Sequence, residues 1–258
     1  MTALGFGGEV AELYQRYRRG YPDETIDALT QAFRLGADDV VLDVGCGTGQ
    51  LTLPLARSLR AVIGLDPEAD MLVQARAVVG DQRNVMWALG SDRDVPAIAQ
   101  LVGPLAAVTV AQALHWMDHD DLFRTVRPLL RAGGGIAVVT NGVPLWLQDT
   151  TWSSALREFL QQWLGTSLAA ACGTDERSQE VYRLSLAAAG YVVGDTRVRY
   201  SAPLTFVELL GGVLSAMPVE QLPIGRAREE FAARLRDAVG PGPFTEDVDV
   251  RLLIGLRD

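Results

Sequence analysis

The 258-residue sequence contains no lysine, only two cysteines and only two histidines, and all 23 of its basic residues are arginine. The cysteines, Cys46 and Cys172, cannot form a disulfide framework. The formal net charge of −9 argues against a nucleic-acid groove, because such grooves need a basic face. No apolar run approaches the roughly 20 residues of a membrane-spanning helix, and residues 1–8 lack the features of a signal peptide. We therefore expect a cytoplasmic protein that binds neither nucleic acid nor membrane.

The overall amino-acid composition is typical of a globular domain. Hydrophobic residues make up 48% and charged residues 21% of the chain. The length suits one large α/β domain with an insertion or two small domains, and no repeat or linker divides the chain. We predict a single domain over residues 1–258. Its predicted parts are an N-terminal helical cap at residues 1–35, a ligand-binding core at 36–142, and two helical insertions, at 143–176 and 203–240, that form a lid.

A glycine-rich loop follows the first predicted strand, residues 40–44, which is apolar and rich in β-branched side chains. Three glycines then alternate with other residues: Gly45, Gly47 and Gly49. A helical pattern follows, and in such a turn backbone N–H groups and a helix N-terminus face a ligand. The dinucleotide fingerprint G-x-G-x-x-G needs a glycine where this chain has Gln50. Asp43, at the end of the strand, adds a carboxylate that suits an α-amino group better than a pyrophosphate.

Further apolar runs predict alternating strands and helices up to about residue 140. The predicted strands lie at 61–65, 84–89, 105–111 and 136–140, and a tight glycine turn at 131–135 precedes the last of them. Beyond residue 141 we predict helices at 144–173, 178–189, 206–217 and 220–239. The remaining predicted strands are 191–201, with a bulge at Gly194, and 248–256.

The spacing D-x-G-x-G-x-G, from Asp43 to Gly49, resembles motif I of the class I S-adenosylmethionine (SAM)-dependent methyltransferases. Three further segments extend the resemblance in the same order. They are Asp66 at the end of the second strand, the Q-A-L-H-W-M-D loop at 112–118, and the L-L-R-A-G-G-G turn at 129–135. The loop is similar to the Q-A-F-H-W-F-D signature of a small-molecule branch. The resemblance implies a Rossmann-like α/β fold with a seven-stranded sheet of order 3-2-1-4-5-7-6, strand 7 antiparallel, and helices on both faces.

The N-terminal segment from Tyr14 to Pro22 resembles the Y-x-x-Y-R-P-G-Y-P segment of the same branch, with Arg19 in place of its first proline. In that branch the segment folds over the cofactor. We therefore expect at least one of its aromatic or basic residues to contact cofactor or substrate.

The resemblance implies SAM as the cofactor and S-adenosylhomocysteine (SAH) as the product, with no metal. Asp66 would accept hydrogen bonds from both ribose hydroxyls, with Asp70 as a rival for that role. Asp92 would hold the adenine amino group, although Ser91 occupies the usual acidic position, and a solvated loop aspartate is the alternative. The predicted cofactor-binding residues are Asp43, Gly45, Cys46, Gly47, Gly49, Asp66, Pro67, Met71, Asp92, Gln112, Tyr17 and Arg18.

The resemblance further implies methyl transfer to a small molecule. We predict O-methylation of a partly aromatic or apolar secondary metabolite, as in antibiotic biosynthesis, by a monomer or homodimer. The alternatives are N- or C-methylation, a SAM-binding protein without catalysis, and an NAD-dependent oxidoreductase, which Gln50 disfavours. The predicted substrate-binding residues are Tyr14, Tyr21, Trp116 and Trp146.

His115 is the predicted catalytic residue, because its strand-end loop should face the cofactor and imidazole titrates near neutrality. It would take the proton of the acceptor. The alternative is an architectural role, in which His115 hydrogen-bonds the backbone and holds Gln112 and Trp116 in place.

Overall fold

A seven-stranded sheet forms the centre of the protein in a computed structural model that describes residues 5–168 and 172–258. The strand order is β3-β2-β1-β4-β5-β7-β6. Strands β1 to β5 are parallel, whereas β7 runs antiparallel to both β5 and β6. The predicted fold class and strand order are therefore confirmed. The strands are β1 Val40–Val44, β2 Ala61–Asp66, β3 Val85–Leu89, β4 Leu105–Ala111, β5 Leu130–Asn141, β6 Val192–Leu204 and β7 Phe244–Leu256.

Helices cover both faces of this sheet. They are α1 Glu9–Tyr17, α2 Asp23–Phe33, α3 Thr52–Leu55, α4 Ala69–Val78, α5 Val95–Val102, α6 His119–Val126, α7 Thr151–Leu164, α8 Glu176–Ala188, α9 Phe206–Leu214 and α10 Arg226–Val239. None of these helices, within the described ranges, combines the length and apolarity that crossing a bilayer requires.

The inner strands are buried on both faces, which explains their continuous apolar sequences. Every residue of β1 is buried between β2 and β4. One apolar cluster packs α5, α6 and α8 on one face of the sheet, and a second packs α2 and α3 on the other. The loops that leave β1, β2 and β4 therefore meet at one edge of the sheet, where ligands bind in open α/β folds.

A third apolar cluster lies outside the sheet and joins α1, α7, α9 and α10. Its aromatic centre is Phe231, whose ring centroid lies 5.1 Å from that of Phe159 and 5.0 Å from that of Trp163. Trp152 is also buried in this cluster. All three tryptophans of the predicted lid thus pack in or against this helical unit, with Trp146 and Trp163 only partly buried.

Several predicted boundaries are wrong for identifiable reasons. The glycine turn at 131–135 belongs to β5, because Gly134 and Gly135 let this strand run close to the carbonyl groups of its neighbours. The bulge at Gly194 is absent, since Gly194 pairs in register with Ile254.

The long helices of the predicted insertions are shorter than expected. Helix α7 begins only after Thr150, whose hydroxyl accepts a hydrogen bond from Ser153 N, and ends at Gly165, which has a φ of 65°. Residues 169–171 of the predicted helix lie outside the described residues. The helix predicted at 220–239 begins at Arg226, because Pro223 and Gly225 interrupt its first turns.

Candidate functional site

Two neighbouring cavities open at the carboxyl ends of β1, β2 and β4. The first has a volume of about 520 Å³ and is lined by the glycine loop and the ends of β2 and β4. It brings together nine of the residues predicted for the site. They are Tyr14, Gly45, Gly47, Asp66, Pro67, Met71, Asp92, Gln112 and Trp116.

The second cavity, of about 250 Å³, adjoins the first and shares four lining residues with it: Phe6, Tyr14, Gln112 and Trp116. Four further predicted residues line only the second cavity: Arg18, Tyr21, His115 and Trp146. Gln112 reaches both cavities from a left-handed conformation with a φ of 55°, and its backbone N donates to Val139 O at 2.9 Å. The two cavities therefore adjoin each other along these four shared residues.

The three glycines of the loop serve different purposes. A Cβ at Gly45 would collide with Ala113, and one at Gly49 would lie 2.7 Å from the Trp87 ring. Gly47 is different, because a Cβ there would meet only the Tyr14 ring, at 4.0 Å. Packing requires the first and third glycines, whereas Gly47 keeps the floor of the first cavity open.

Asp66 fastens the glycine loop to the end of β2. Its Oδ2 accepts a hydrogen bond from Gly47 N at 2.8 Å, and its Oδ1 accepts one from Glu68 N at 2.9 Å. The side chain is buried at the edge of the first cavity, and this burial raises the pKa of its carboxyl group. The rival Asp70 does not line that cavity, and it accepts a hydrogen bond from Gly8 N instead.

Asp43 lies beneath the loop and lines neither cavity. The side chain is completely buried and accepts hydrogen bonds from Thr52 Oγ1 at 2.6 Å and Thr109 Oγ1 at 2.7 Å. Burial raises its pKa to about 6, although both hydroxyls favour the charged form. Its position fits a role in joining β1 to α3 and β4 rather than the predicted contact with a cofactor.

Asp43 should make the stability of the protein depend on pH. Its pKa is about 6 when folded against an ordinary 3.8, so the folded state holds this proton more tightly. The resulting stabilisation is complete below the ordinary pKa and is lost as the pH rises through about 6. The difference corresponds to roughly 3 kcal/mol. We expect Asp43→Asn, which cannot ionise, to raise the free energy of unfolding near pH 8 but not near pH 4, as measured by urea denaturation.

Asp39 is a control for this prediction, because its pKa is shifted in the opposite direction. The Arg131 guanidinium, 2.9 Å away, holds the pKa of Asp39 below its usual value. Asp39→Asn should therefore destabilise the protein near pH 8. A parallel pH dependence in the wild type and Asp43→Asn would contradict the assignment for Asp43.

Three other residues predicted to bind the cofactor face away from both cavities. Cys46 is buried with its sulfur close to Gly64, and Gly49 packs on Trp87. The Tyr17 ring fills the space above Gly211, where α1 crosses α9. These positions favour packing roles for all three residues.

Arg18 lies next to the junction of the cavities. Its Nε donates to the hydroxyl of the fully buried Ser215 at 2.9 Å, and its guanidinium lies 5.4 Å from the centre of the Tyr14 ring. No carboxylate among the described residues forms an ion pair with Arg18. Arg19 differs, because Glu246 Oε2 lies 2.7 Å from its Nε and compensates its charge.

The His115 ring borders the second cavity, where desolvation lowers its pKa. The ring centroid lies 5.0 Å from that of Trp116. Within the described part of the chain, the His115 side chain makes no hydrogen bond to the backbone of the kind that the architectural alternative requires. The imidazole is therefore neutral near pH 7 and can accept a proton.

The lining residues of the second cavity that were not among the predicted site residues include Phe6, Asn141, Tyr200 and Glu246. Asn141 is the last residue of β5, so the strand-end argument that identified Asp66 could also have found it. The others come from the N-terminal segment and from β6 and β7, whose sequences give no corresponding signal.

Comparisons with known proteins agree with this geometry. Residues 41–134 match the family described as a methyltransferase domain. An uncharacterized methyltransferase of Mycobacterium tuberculosis is 37% identical over 139 residues, which are 54% of this chain and 53% of that protein. A Saccharomyces cerevisiae protein named as a SAM-dependent methyltransferase is 28% identical over 127 residues, 48% of this chain and 43% of its own. This chain thus spans about half the length of these relatives.

Solved structures show the same fold. A chain from Anaeromyxobacter dehalogenans, assigned as a type II methyltransferase, superposes with a TM-score of 0.60 at 20% identity, covering 93% of this chain and 97% of that one. A geranyl diphosphate methyltransferase in complex with SAM gives a TM-score of 0.50 at 19% identity, covering 99% and 93%. Fold and site define a Rossmann-like protein with a glycine loop at its ligand cavity. Together, the match over residues 41–134, the relatives and the strand order support a class I SAM-dependent methyltransferase.

Proposed function

We propose that this protein transfers a methyl group from SAM to an oxygen atom of a small, partly aromatic acceptor. The first cavity would hold SAM and the second the acceptor. The observation that carries the proposal is that the two cavities are neighbours and share Tyr14, Gln112 and Trp116 in their walls. Transfer between two bound molecules requires such a junction, because the nucleophile must approach the methyl group in line with the leaving sulfur.

The residues of the first cavity fit the parts of SAM. The open side of Gly47 leaves space for the ligand above the loop, and the buried Asp66 carboxylate can accept from ribose hydroxyls. Met71 and Asp92 line the same cavity and suit the adenine ring and its amino group. Arg18 lines only the second cavity, but it lies next to the junction and has no carboxylate partner among the described residues, so from there it would hold the α-carboxylate of the methionine part.

The second cavity provides the environment for the acceptor. Its shared wall is aromatic, with Phe6, Tyr14 and Trp116, and the rings of Phe6 and Trp116 meet edge to face at 6.2 Å. Aromatic walls of this kind favour a planar, partly apolar ligand. The same walls would keep water away from the transfer.

The proposed chemistry needs little from the protein beyond alignment and removal of one proton. SAM supplies the methyl group on a sulfonium, which leaves as a neutral thioether. The neutral His115 imidazole would accept the hydroxyl proton of the acceptor as its oxygen forms the new bond to carbon. The imidazolium would then release this proton to solvent, because the ring is only partly buried.

Asp66→Ala tests whether the first cavity binds SAM. We expect the affinity for SAM to fall by about 2–3 kcal/mol, because charge-assisted hydrogen bonds to the ribose are lost and Gly47 N loses its acceptor. Isothermal titration calorimetry would measure the change. Asp70→Ala is the matched control, since Asp70 lies on the same segment but outside the cavity. Equal affinities for SAM in the wild type and Asp66→Ala would remove Asp66 from the site.

Formation of SAH tests the transfer itself. Purified protein with SAM and a panel of phenolic acceptors should release SAH only when an acceptor is present. Mass spectrometry of the methylated product identifies the atom that is modified. Tight SAM binding without SAH formation for any phenol, amine or carbon acid would favour a SAM-binding protein without catalysis.

A further inference from the structure

Two residues that line only the second cavity, Asn141 and Trp146, each have a buried polar atom without a partner. These atoms are Asn141 Oδ1 and Trp146 Nε1, and neither has a hydrogen-bond partner within the described residues. Buried polar atoms are nearly always paired, because an unpaired one has lost its contacts with water. Because both residues line the second cavity, a ligand bound there can supply the partner that each atom lacks.

The amide of Asn141 is held in one orientation. Its Nδ2 donates to Arg19 O at 3.3 Å and to Gly20 O at 3.4 Å, so the side-chain nitrogen is already paired. Oδ1 is consequently the free end of the amide, and it can only accept a hydrogen bond. A ligand that satisfies it must supply an N–H or O–H group.

Trp146 has the opposite requirement. It lies in a short 3₁₀ turn, Leu145–Leu147, which is fixed to α7 because Ser153 Oγ donates to Leu145 O at 2.7 Å. An indole N–H can only donate. A ligand group that satisfies Trp146 must therefore present an acceptor, such as a carbonyl oxygen.

The charges around Asn141 and Trp146 favour a neutral ligand group. Two arginines line this cavity: Glu246 compensates the charge of Arg19, and under the proposed function the α-carboxylate of SAM or SAH compensates that of Arg18. Burial keeps the Tyr21 hydroxyl protonated by raising its pKa well above the usual value. A carboxylate would bring two acceptor oxygens beside Asn141 Oδ1 and offer it no donor. An amide offers one donor and one acceptor on adjacent atoms.

We propose that the acceptor molecule carries a neutral amide-type group, a carboxamide or lactam, that accepts from Trp146 and donates to Asn141. This inference rests on the proposed function, since it names the class of acceptor for the second cavity. The hydroxyl to be methylated would lie on the same molecule, toward the junction with the first cavity. Trp146 and Asn141 are thus positioning residues that select the acceptor.

Three small phenols distinguish this group from its alternatives: 4-hydroxybenzamide, N,N-dimethyl-4-hydroxybenzamide and 4-hydroxybenzoate. The first offers a donor and an acceptor, the second only an acceptor, and the third a negative charge. Titration of the SAH-bound protein should show at least about tenfold tighter binding of 4-hydroxybenzamide than of either analogue, which is the effect of about one buried hydrogen bond. Equal binding of the dimethyl analogue, preference for the benzoate, or binding of none of the three would overturn the proposal.

Trp146→Phe keeps the aromatic ring and removes only the N–H group. In this variant the affinity for 4-hydroxybenzamide should fall about tenfold while SAH affinity stays the same. The preference over the dimethyl analogue should remain, because it depends on the donor to Asn141. Trp163→Phe is the matched control, because Trp163 packs on Phe159 and Phe231 and lines neither cavity. An unchanged affinity for 4-hydroxybenzamide in Trp146→Phe would overturn the proposal, whereas failure of the wild type to bind SAH would overturn the proposed function instead.

Discussion

Gly47→Val is expected to abolish SAM binding without unfolding the protein. In the structure the missing side chain of Gly47 points into the first cavity, where only the Tyr14 ring lies within 4.0 Å of the Cβ position. Valine would therefore fill ligand space rather than collide with the protein. Overlap with a tightly held ligand costs about 3 kcal/mol or more, which lowers affinity at least about 100-fold. Calorimetric titration with SAM, together with circular dichroism to verify folding, measures both effects.

The backbone at Gly47 is left-handed, with a φ of 54°, so valine at this position would also be strained. A control variant must separate this strain from the loss of ligand space. Gly80 has a similar φ of 59°, and nothing lies within 4 Å of its Cβ position. Gly80→Val should carry the same backbone strain and retain SAM binding, because it lines neither cavity. If Gly47→Val binds SAM as well as Gly80→Val does, the loop does not border the cofactor.

His115→Gln should reduce the rate of methyl transfer about 10²–10⁴-fold with little change in SAM affinity. The His115 ring borders the cavity proposed for the acceptor and is not part of the first cavity. Because desolvation lowers the pKa of His115, the wild-type rate should be constant through neutral pH and fall only in acid, where the imidazole becomes protonated. The rate of the variant should recover at high pH with an acceptor that ionises, since that acceptor no longer needs a base.

His119→Gln is the matched control for this experiment. His119 packs against Phe123 and Tyr182, away from both cavities, so its substitution should leave the rate unchanged. Loss of SAM affinity together with rate in His115→Gln, without rescue at alkaline pH, would show that His115 holds the loop. A normal rate of methyl transfer in His115→Gln would exclude both the general-base role and the architectural role of His115.

The sequence was informative where function depends on strand ends. Buried strands give continuous apolar runs, and their carboxyl ends fall at one edge of the sheet, so Asp66, Gln112 and His115 were found without coordinates. The sequence favoured Asp66 over Asp70 because Asp66 ends β2, and the structure shows that the two carboxylates have different partners, Gly47 N for Asp66 and Gly8 N for Asp70.

Packing explains most of what the sequence did not predict. Asp43 belongs to the same motif as Gly47, but spacing does not show that Thr52 and Thr109 occupy its carboxylate. Likewise, helical periodicity does not tell whether a tryptophan faces a core or a cavity. The structure places Trp152 in the third apolar cluster and Trp146 at the second cavity. The lid function of residues 143–176 stays a prediction, which hydrogen exchange with SAM and acceptor would examine.

Titration of the purified protein with SAM, SAH and NAD tests the central claim most directly. The glycine loop has Gln50 where a dinucleotide site needs glycine, and the first cavity presents the buried Asp66 carboxylate beside Gly47. We predict saturable one-to-one binding of SAM and SAH, competition between them, and no measurable heat with NAD. Binding of NAD in place of SAM, or binding of neither, would contradict the assignment of the first cavity as a SAM site.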